Sequence, residues 1–327
     1  MNDQRSNLPA GAQSAVTGNT DVYLILGDPV EQVRAPESFN LIFATLGINA
    51  VLVPVHVAPA DVKAFVAAAF TGRNIKGIFL TIPHKSLVMD MLDHCGELAT
   101  LAGAVNAICR DAQGRLVGDL FDGEGLVSSL NSFRIGYTRK RVLMLGAGGG
   151  SAAIAASLVS TASKASLGAP AEIALYDPTP GKASELANRL QGAGTSRVFA
   201  AACNDPAGFD VVINATPLGL NLTDAMPCDV ERLSPEAAVV DILMKNQPTS
   251  LVRAARSRGI VAHPGFEMMI QQAHLYLDFF GLTDAAQAVA RDAGFIRQHI
   301  YPQEMAQDLQ FFLQTDPSLL STHLETT

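Results

Sequence analysis

Apolar and polar positions alternate along the chain in blocks that name their own elements. Residues 22–29, VYLILGDP, form an apolar run halted by Asp28 and Pro29, which predicts a strand. SFNLIFATLGI follows with apolar residues at helical spacing and Gly47 as terminator. AVLVPVHV reads as a second strand, DVKAFVAAAF as a helix with Asp61 at its cap, and IKGIFLTIP as a third strand. Strand, helix, strand, helix, strand predicts a parallel sheet covered on both faces. In AVNAICRDAQGRLVGDLFDGEG the rhythm changes, because two short apolar runs flank DAQG in the manner of a hairpin. A second alternation starts at RVLMLGAGGGSAAIAASLVS and continues through AEIALYD, GKASELANRLQG, DVVINATPLGL and AVVDILM to the helix SLVRAARSRG. From Phe266 the pattern is helical, with FEMMIQQAHLYLDFF strongly apolar and PQEMAQDLQFFLQ opening at Pro302. The fold class is α/β with two domains, and the helical tail is placed to pack back onto the first of them.

Composition narrows the function classes. A chain of 327 residues with 48% hydrophobic content is long enough for two cores. Charged residues make up 17%, the net charge is −8, and no block of lysine or arginine occurs, which argues against a nucleic acid or an acidic membrane surface as partner. Residues 1–20 are polar and small, without the apolar core of a signal peptide, and are expected to be a disordered tail in a cytoplasmic protein. Cys95, Cys109, Cys203 and Cys228 lie far apart and suit reduced, mostly buried thiols. His56, His94, His263 and His274 form no metal-like cluster with carboxylates, so no metal is expected.

The segment VLMLGAGGGSAA sets Gly146, Ala147, Gly148, Gly149, Gly150 and Ser151 between a strand and an alanine-rich helix. Glycines let backbone turn tightly against a pyrophosphate, whose charge is favoured by the free amides of a helix N-terminus. The formal third glycine of the dinucleotide fingerprint is Ser151, so the strand before, the helix after and the next strand ending in an acid carry the assignment. That acid is Asp177. Placed there, a carboxylate accepts from both ribose hydroxyls and repels a 2'-phosphate, selecting NAD over NADP. Pro178 follows, and Lys182 is the only early cation. The plainer role for Asp177 is to cap its own loop.

FLTIPHK, residues 79–85, delivers Lys85 just past the carboxyl end of a predicted strand, where open α/β sheets bind ligands. A solvated loop lysine is the bland alternative. His84 beside it is expected to be a structural ring, with a charged neighbour for Lys85 as the other option.

Several segments, in order, resemble the shikimate dehydrogenase family: FLTIPHK, LAGAVNAI, GDLFDGEG, LGAGGGS, INATPLG and PGFEMMIQQA, together spanning most of residues 22 to about 282. Members of that family reduce 3-dehydroshikimate, or oxidise shikimate and quinate, with a nicotinamide cofactor. The resemblance implies that Lys85 and Asp122 are the catalytic pair, that Thr81, Asn106 and Gln272 hold ring hydroxyls, and that Asn214, Ala215, Thr216, Pro217 and Gly265 join the glycine segment around the cofactor. It implies a discontinuous substrate-binding domain of residues 21–121 plus 265–327 and a Rossmann-type domain of residues 122–264. A homodimer is the default assembly.

The departures concern the other end of the pocket. Where the family has Ser-x-Ser to hold a carboxylate, this chain has Val33, Arg34 and Ala35, and neither Val33 nor Ala35 donates a hydrogen bond. Arg34 either turns inward to grip a carboxylate or is a solvated loop arginine, the latter being favoured. A family tyrosine is replaced by Met244, and a polar pair before Asp122 by Leu120 and Phe121, which would add apolar bulk to the pocket. The expectation is an NAD-dependent oxidoreductase acting on a cyclic hydroxy compound related to shikimate or quinate, with a true shikimate or quinate dehydrogenase as the nearest alternative and a non-catalytic dinucleotide-binding protein as the one from another class.

Overall fold

The structure, a computed structural model, describes residues 16–221, 223–245 and 247–315. Most of the expected tail over residues 1–20 lies outside them. Its last residues are held, since Thr20 is buried and donates to the Asn49 side chain over 2.9 Å.

The first sheet contains β1 (Asp21–Gly27), β2 (Ala50–His56), β3 (Ile75–Leu80), β4 (His94–Cys95), β5 (Ala107–Arg110) and β6 (Leu116–Asp119), in the order β2-β1-β3-β5-β6-β4. Strands β1, β2 and β3 are parallel, β5 turns antiparallel to β3, and β5 with β6 forms the hairpin expected around DAQG. The intervening helices are α1 (Ala35–Thr45), α2 (Val62–Ala69) and α3 (Glu97–Ala102). Helix α1 ends before Gly47, whose φ of 66° suits the left-handed residue that terminates a helix. Asp61 does occupy the cap position of α2, but its side chain makes no capping hydrogen bond.

The second sheet is wholly parallel, with β7 (Arg141–Leu145), β8 (Glu172–Tyr176), β9 (Arg197–Ala200), β10 (Val211–Asn214), β11 (Ala238–Asp241) and β12 (Val261–Pro264) in the order β12-β11-β10-β7-β8-β9. This is the doubly wound order of a Rossmann sheet. The helices before and within this half are α4 (Asp122–Ser132), α5 (Gly149–Val159), α6 (Lys182–Leu190) and α7 (Ser250–Ser257). Strands β4, β9 and β12 were not anticipated; two to four residues long and at or near sheet edges, they carry too few positions to show a period.

The C-terminal helices are α8 (Phe266–Phe279), α9 (Thr283–Arg291), α10 (Gly294–Ile300) and α11 (Ala306–Thr315). The first returns to the first sheet: Tyr276 stacks on Phe79 with ring centroids 4.4 Å apart, and Phe280 lies 5.0 Å from Tyr23. Burying these rings supplies the directional aromatic contacts that fix α8 over β1 and β3. Pro302 precedes a short 3-10 turn rather than the helix itself, and α11 then docks on the other lobe, where Asp308 pairs with Arg256 at 2.6 Å.

Helix α4 packs against both α5 and α8, so it joins the lobes. Its DGEG start makes this possible: a Cβ at Gly123 would collide with the Ala153 carbonyl on α5, and one at Gly125 with the Met268 carbonyl on α8.

Candidate active site

Both sheets place a reversal of strand order opposite the same cleft. In the first, β1 and β3 are neighbours and their outgoing loops carry Val33 to Ala35 and Thr81 to Lys85. In the second, β7 and β10 are neighbours and their outgoing loops are the glycine turn and the segment from Asn214. Such switch points are where open α/β sheets leave a crevice for ligands.

Lys85 sits in a 3-10 turn, His84–Ser86, with its carbonyl accepting from Val105 N at 2.8 Å. Asp122 is the first residue of α4, where a carboxylate is favoured by the helix dipole. Although 37 residues apart, the two side chains form a hydrogen-bonded ion pair, with side-chain exposures of only 15% and 7%. The solvated-lysine alternative is thereby excluded in this structure. Lys85 also reaches the nucleotide lobe, because a Cβ at Gly149 would lie 3.6 Å from its Cβ and Cδ.

Two of the expected hydroxyl ligands meet beside this pair. Asn106 Nδ2 lies 3.4 Å from Gln272 Oε1, while Asn106 Oδ1 accepts from Phe121 N at 3.1 Å. Thr81 is half-buried with its amide bonded to Leu26 O at 3.0 Å, and its methyl group closes on Gly27. Tyr276 was not singled out in the sequence, where its helical spacing marks only a core position. Its hydroxyl donates toward Asn106 O at 3.4 Å, and burial, aided by the Asp122 charge, pushes its pKa well above the usual tyrosine range.

His84 is fully buried; loss of hydration lowers its pKa and outweighs the nearby Val57 and Gly27 backbone, which act in the other direction, so it is uncharged near neutrality. That removes the option of a cationic neighbour for Lys85. Cys203 is exposed, against the expectation of mostly buried thiols, while Cys109 and Cys228 are buried. Leu120 and Phe121 are buried too, and Phe121 packs edge-on against Tyr276 and Phe279 at 5.0 and 5.6 Å. The expected apolar bulk thus goes largely into the core. Arg34 is partly exposed: its side chain is 19% exposed, paired with the half-exposed Glu37 at 2.9 Å and laid over the Phe266 ring at 5.8 Å, so it is neither fully solvated nor turned into the pocket. Val33, Ala35 and Met244 are half-buried and pack against the main core.

The glycine turn fits a dinucleotide. Gly146 has φ of 100°, and a Cβ there would lie 2.8 Å from Ala215 O, so only glycine is tolerated. Nothing lies within 4 Å of the Cβ position of Gly148, which caps α5 without a side-chain hydrogen bond. The first amides of α5 are therefore available to an anion, and Ser151 Oγ in its first turn is buried without a partner among the described residues. Asp177, directly after β8, accepts from Ala147 N and Thr179 N, both at 2.9 Å. Partial burial raises its pKa, but those two amides outweigh this and hold it below the ordinary aspartate range. Asn214 accepts from Thr216 N and Oγ1 at 3.1 and 2.7 Å, which folds the chain through Ala215 and Pro217 against Gly146. Gly265 is wedged under the Ile242 carbonyl.

With this geometry in place, the resemblances can be weighed. The shikimate dehydrogenase substrate binding domain family matches residues 25–108. A shikimate dehydrogenase (NADP(+)) of Rubrobacter xylanophilus is 34% identical over 261 residues, covering 79% of this chain and 89% of the relative. The chain belongs to the shikimate dehydrogenase family. A second shikimate dehydrogenase (NADP(+)), from Geobacillus kaustophilus, is 36% identical over 258 residues, 78% of this chain and 90% of the relative. The crystal structure of shikimate dehydrogenase from Aquifex aeolicus superposes with a TM-score of 0.72 at 26% identity, covering 85% of this chain and all of that one. As a member of this family, the protein is a dehydrogenase that uses a nicotinamide dinucleotide. Both curated relatives are named for NADP(+), which gives no support to the NAD preference read from Asp177. Among the described residues no helix is long and apolar enough to cross a membrane, and no group of three His, Cys, Asp or Glu side chains is placed to hold a metal.

Proposed function

We propose that the protein interconverts a secondary alcohol and its ketone on a cyclic compound of the shikimate and quinate class, with Lys85 and Asp122 handling the proton. The observation that carries this is the buried Lys85–Asp122 pair, held between the glycine turn and the strand ends of the other lobe. When bound, the nicotinamide supplies the carbon that accepts or delivers hydride. Lys85, as the amine, takes the hydroxyl proton at Nζ while the carbinol carbon is oxidised; as the ammonium, it returns that proton to the carbonyl oxygen in the reverse direction. A positioned acid/base of this kind contributes roughly a hundredfold to ten-thousandfold. Asp122 keeps Nζ aimed, and its second oxygen can accept from the same hydroxyl. Asn106, Gln272 and Thr81 offer amide and hydroxyl groups to the remaining ring hydroxyls.

The cofactor is assigned as NAD on the chemistry of Asp177: a 2'-phosphate would meet its carboxylate, neither Pro178 nor Thr179 supplies a cation, and the nearby Lys182 already acts on Asp177 itself. The names of the curated relatives support NADP instead, so both dinucleotides belong in the test.

Two substrates compete at the recognition end. Val33 and Ala35 favour a compound whose carboxylate is absent or held elsewhere. A hydrogen bond to a charged group contributes about 1.5 to 3 kcal/mol, so two missing ones weaken a carboxylate by about 3 to 6 kcal/mol, or roughly a hundredfold to ten-thousandfold. The relatives' names favour shikimate itself, and Arg34, released from Glu37, is the group that would hold its carboxylate. Steady-state kcat/KM for shikimate, quinate and neutral cyclic polyols, each with NAD and NADP, decides between them. Micromolar KM for shikimate selects the second; turnover confined to neutral polyols selects the first. Tight dinucleotide binding with no turnover across the panel would refute the dehydrogenase proposal.

A further inference from the structure

Asp241 ends β11, and neither its sequence context nor the ion pair of the active site uses it. It is fully buried, yet among the described residues no lysine or arginine pairs with it. Its partners are all hydrogen-bond donors. Oδ1 accepts from Asn214 Nδ2 at 3.0 Å and from Leu243 N at 3.2 Å, and Oδ2 accepts from Thr249 Oγ1 at 2.7 Å. Asn214 passes this order on. Its other Nδ2 proton goes to Leu218 O at 3.1 Å, its Oδ1 takes both Thr216 groups, and Thr216 Oγ1 accepts from Leu218 N at 3.1 Å. Every hydrogen-bonding group of the Asn214 amide is thus occupied, and its orientation is set by Asp241.

The segment so fixed is the one that touches the glycine turn. Ala215 N donates to Leu145 O at 2.8 Å, and the Ala215 carbonyl and Thr216 methyl lie 2.8 and 3.3 Å from where a Gly146 Cβ would be. The next residue, Ile242, donates its amide to Asn214 O at 3.0 Å, approaches the Cβ position of Gly150 to 3.5 Å, and covers Gly265 with its carbonyl. One buried carboxylate therefore stands behind three loops that face the dinucleotide cleft. A buried carboxylate is costly to desolvate, so retaining it where a neutral residue of similar size would fit needs a reason beyond packing.

We infer that Asp241 is a positioning residue, which through Asn214 and Thr249 holds the Ala215–Gly219 segment against the glycine turn in the geometry that receives the nicotinamide end of the cofactor. It touches neither cofactor nor substrate. The inference rests on the dinucleotide assignment made above.

The test uses the full chain and two substitutions. Asp241→Ala removes all three acceptor bonds. Asp241→Asn keeps two through Oδ1 and can donate from Nδ2 to the Thr249 hydroxyl, so it is the conservative rescue. Amide hydrogen exchange over residues 214–219 of the free protein reads the loop, and titration with NAD(H) and NADP(H) reads the cofactor. Asp241→Ala is expected to speed exchange of that segment and to weaken dinucleotide binding about tenfold to a hundredfold, the worth of one hydrogen bond to a charged group, with the KM for the second substrate unchanged. Asp241→Asn is expected to restore both to within about threefold. Unchanged exchange in Asp241→Ala overturns the positioning role. So does faster exchange with unaltered dinucleotide affinity. Should Asp241→Ala not fold, loss of both properties in Asp241→Asn, despite its retained bonds, would likewise overturn it. A wild-type chain that binds neither dinucleotide, with exchange still responding to the substitution, refutes the cofactor assignment and removes the role with it.

Discussion

Replacing Lys85 by Met separates the two jobs of the Lys85–Asp122 pair. The side chains are 15% and 7% exposed, so the pair counts as buried. Removing the ammonium leaves the Asp122 carboxylate without its countercharge, and orphaning one member of a buried pair costs about 3 to 5 kcal/mol. Proton transfer is lost at the same time, which lowers kcat by roughly a hundredfold to ten-thousandfold. The double variant Lys85→Met/Asp122→Asn removes the orphan charge as well and should recover most of the stability while recovering none of the turnover. Urea midpoints followed by far-UV circular dichroism, suited to a chain with no tryptophan, give the first quantity, and nicotinamide absorbance gives the second. Adding Asp122→Asn alone completes a cycle that isolates the pairwise energy. Turnover of the single variant within tenfold of wild type would remove Lys85 from the chemistry. A single variant as stable as wild type would contradict the buried ion pair.

Other consequences follow from particular contacts. Gly146→Ala forces a Cβ to 2.8 Å from Ala215 O at a φ of 100°, and dinucleotide binding measured by titration should fall below detection while Lys85 and Asp122 are untouched. Asp177→Asn removes the charge that opposes a 2'-phosphate but keeps an acceptor, so the ratio of kcat/KM for NADP over NAD should rise about tenfold, the result of relieving one charge repulsion of about 1.4 kcal/mol; an unchanged ratio places the cofactor preference elsewhere. Burial pushes Asp241 up to about 6 in the folded chain from 3.8. Its folded pKa is raised, so its contribution to stability is full below about 4 and is lost as pH rises through about 6, a swing of about 3 kcal/mol. Asp241→Asn should flatten that part of the urea midpoint's pH dependence, and a slope that survives the substitution would contradict it. Arg297 pairs with the fully buried Glu267 at 2.6 Å, so Arg297→Met should cost about 3 to 5 kcal/mol of unfolding free energy, largely recovered by adding Glu267→Gln; a loss below about 1 kcal/mol would show the pair to be screened.

Much of the architecture was written locally. The apolar run of β1, the helical period of α1, the turn residues between β5 and β6 and the glycines after β7 each act over a few residues, so periodicity and turn chemistry place them without reference to the rest of the chain. Lys85 past the end of β3 and Asp177 past the end of β8 were legible for the same reason. Edge strands β4, β9 and β12 were not, since they exist through the partner they bond to rather than through a period of their own. Tertiary structure alone decided which polar groups meet. Lys85 and Asp122 are 37 residues apart and become a pair because Gly123 and Gly125 let α4 sit between α5 and α8. Arg34, expected in solvent, is partly covered by the Phe266 ring while it pairs with the half-exposed Glu37, and Phe121, expected in the pocket, is taken by the aromatic face of α8. In sequence Asp241 is only an acid at the end of an apolar run, like Asp177. The difference is that Asp177 emerges beside exposed loop amides, while Asp241 is enclosed by Asn214 and Thr249, and burial depends on what the rest of the chain packs around a position.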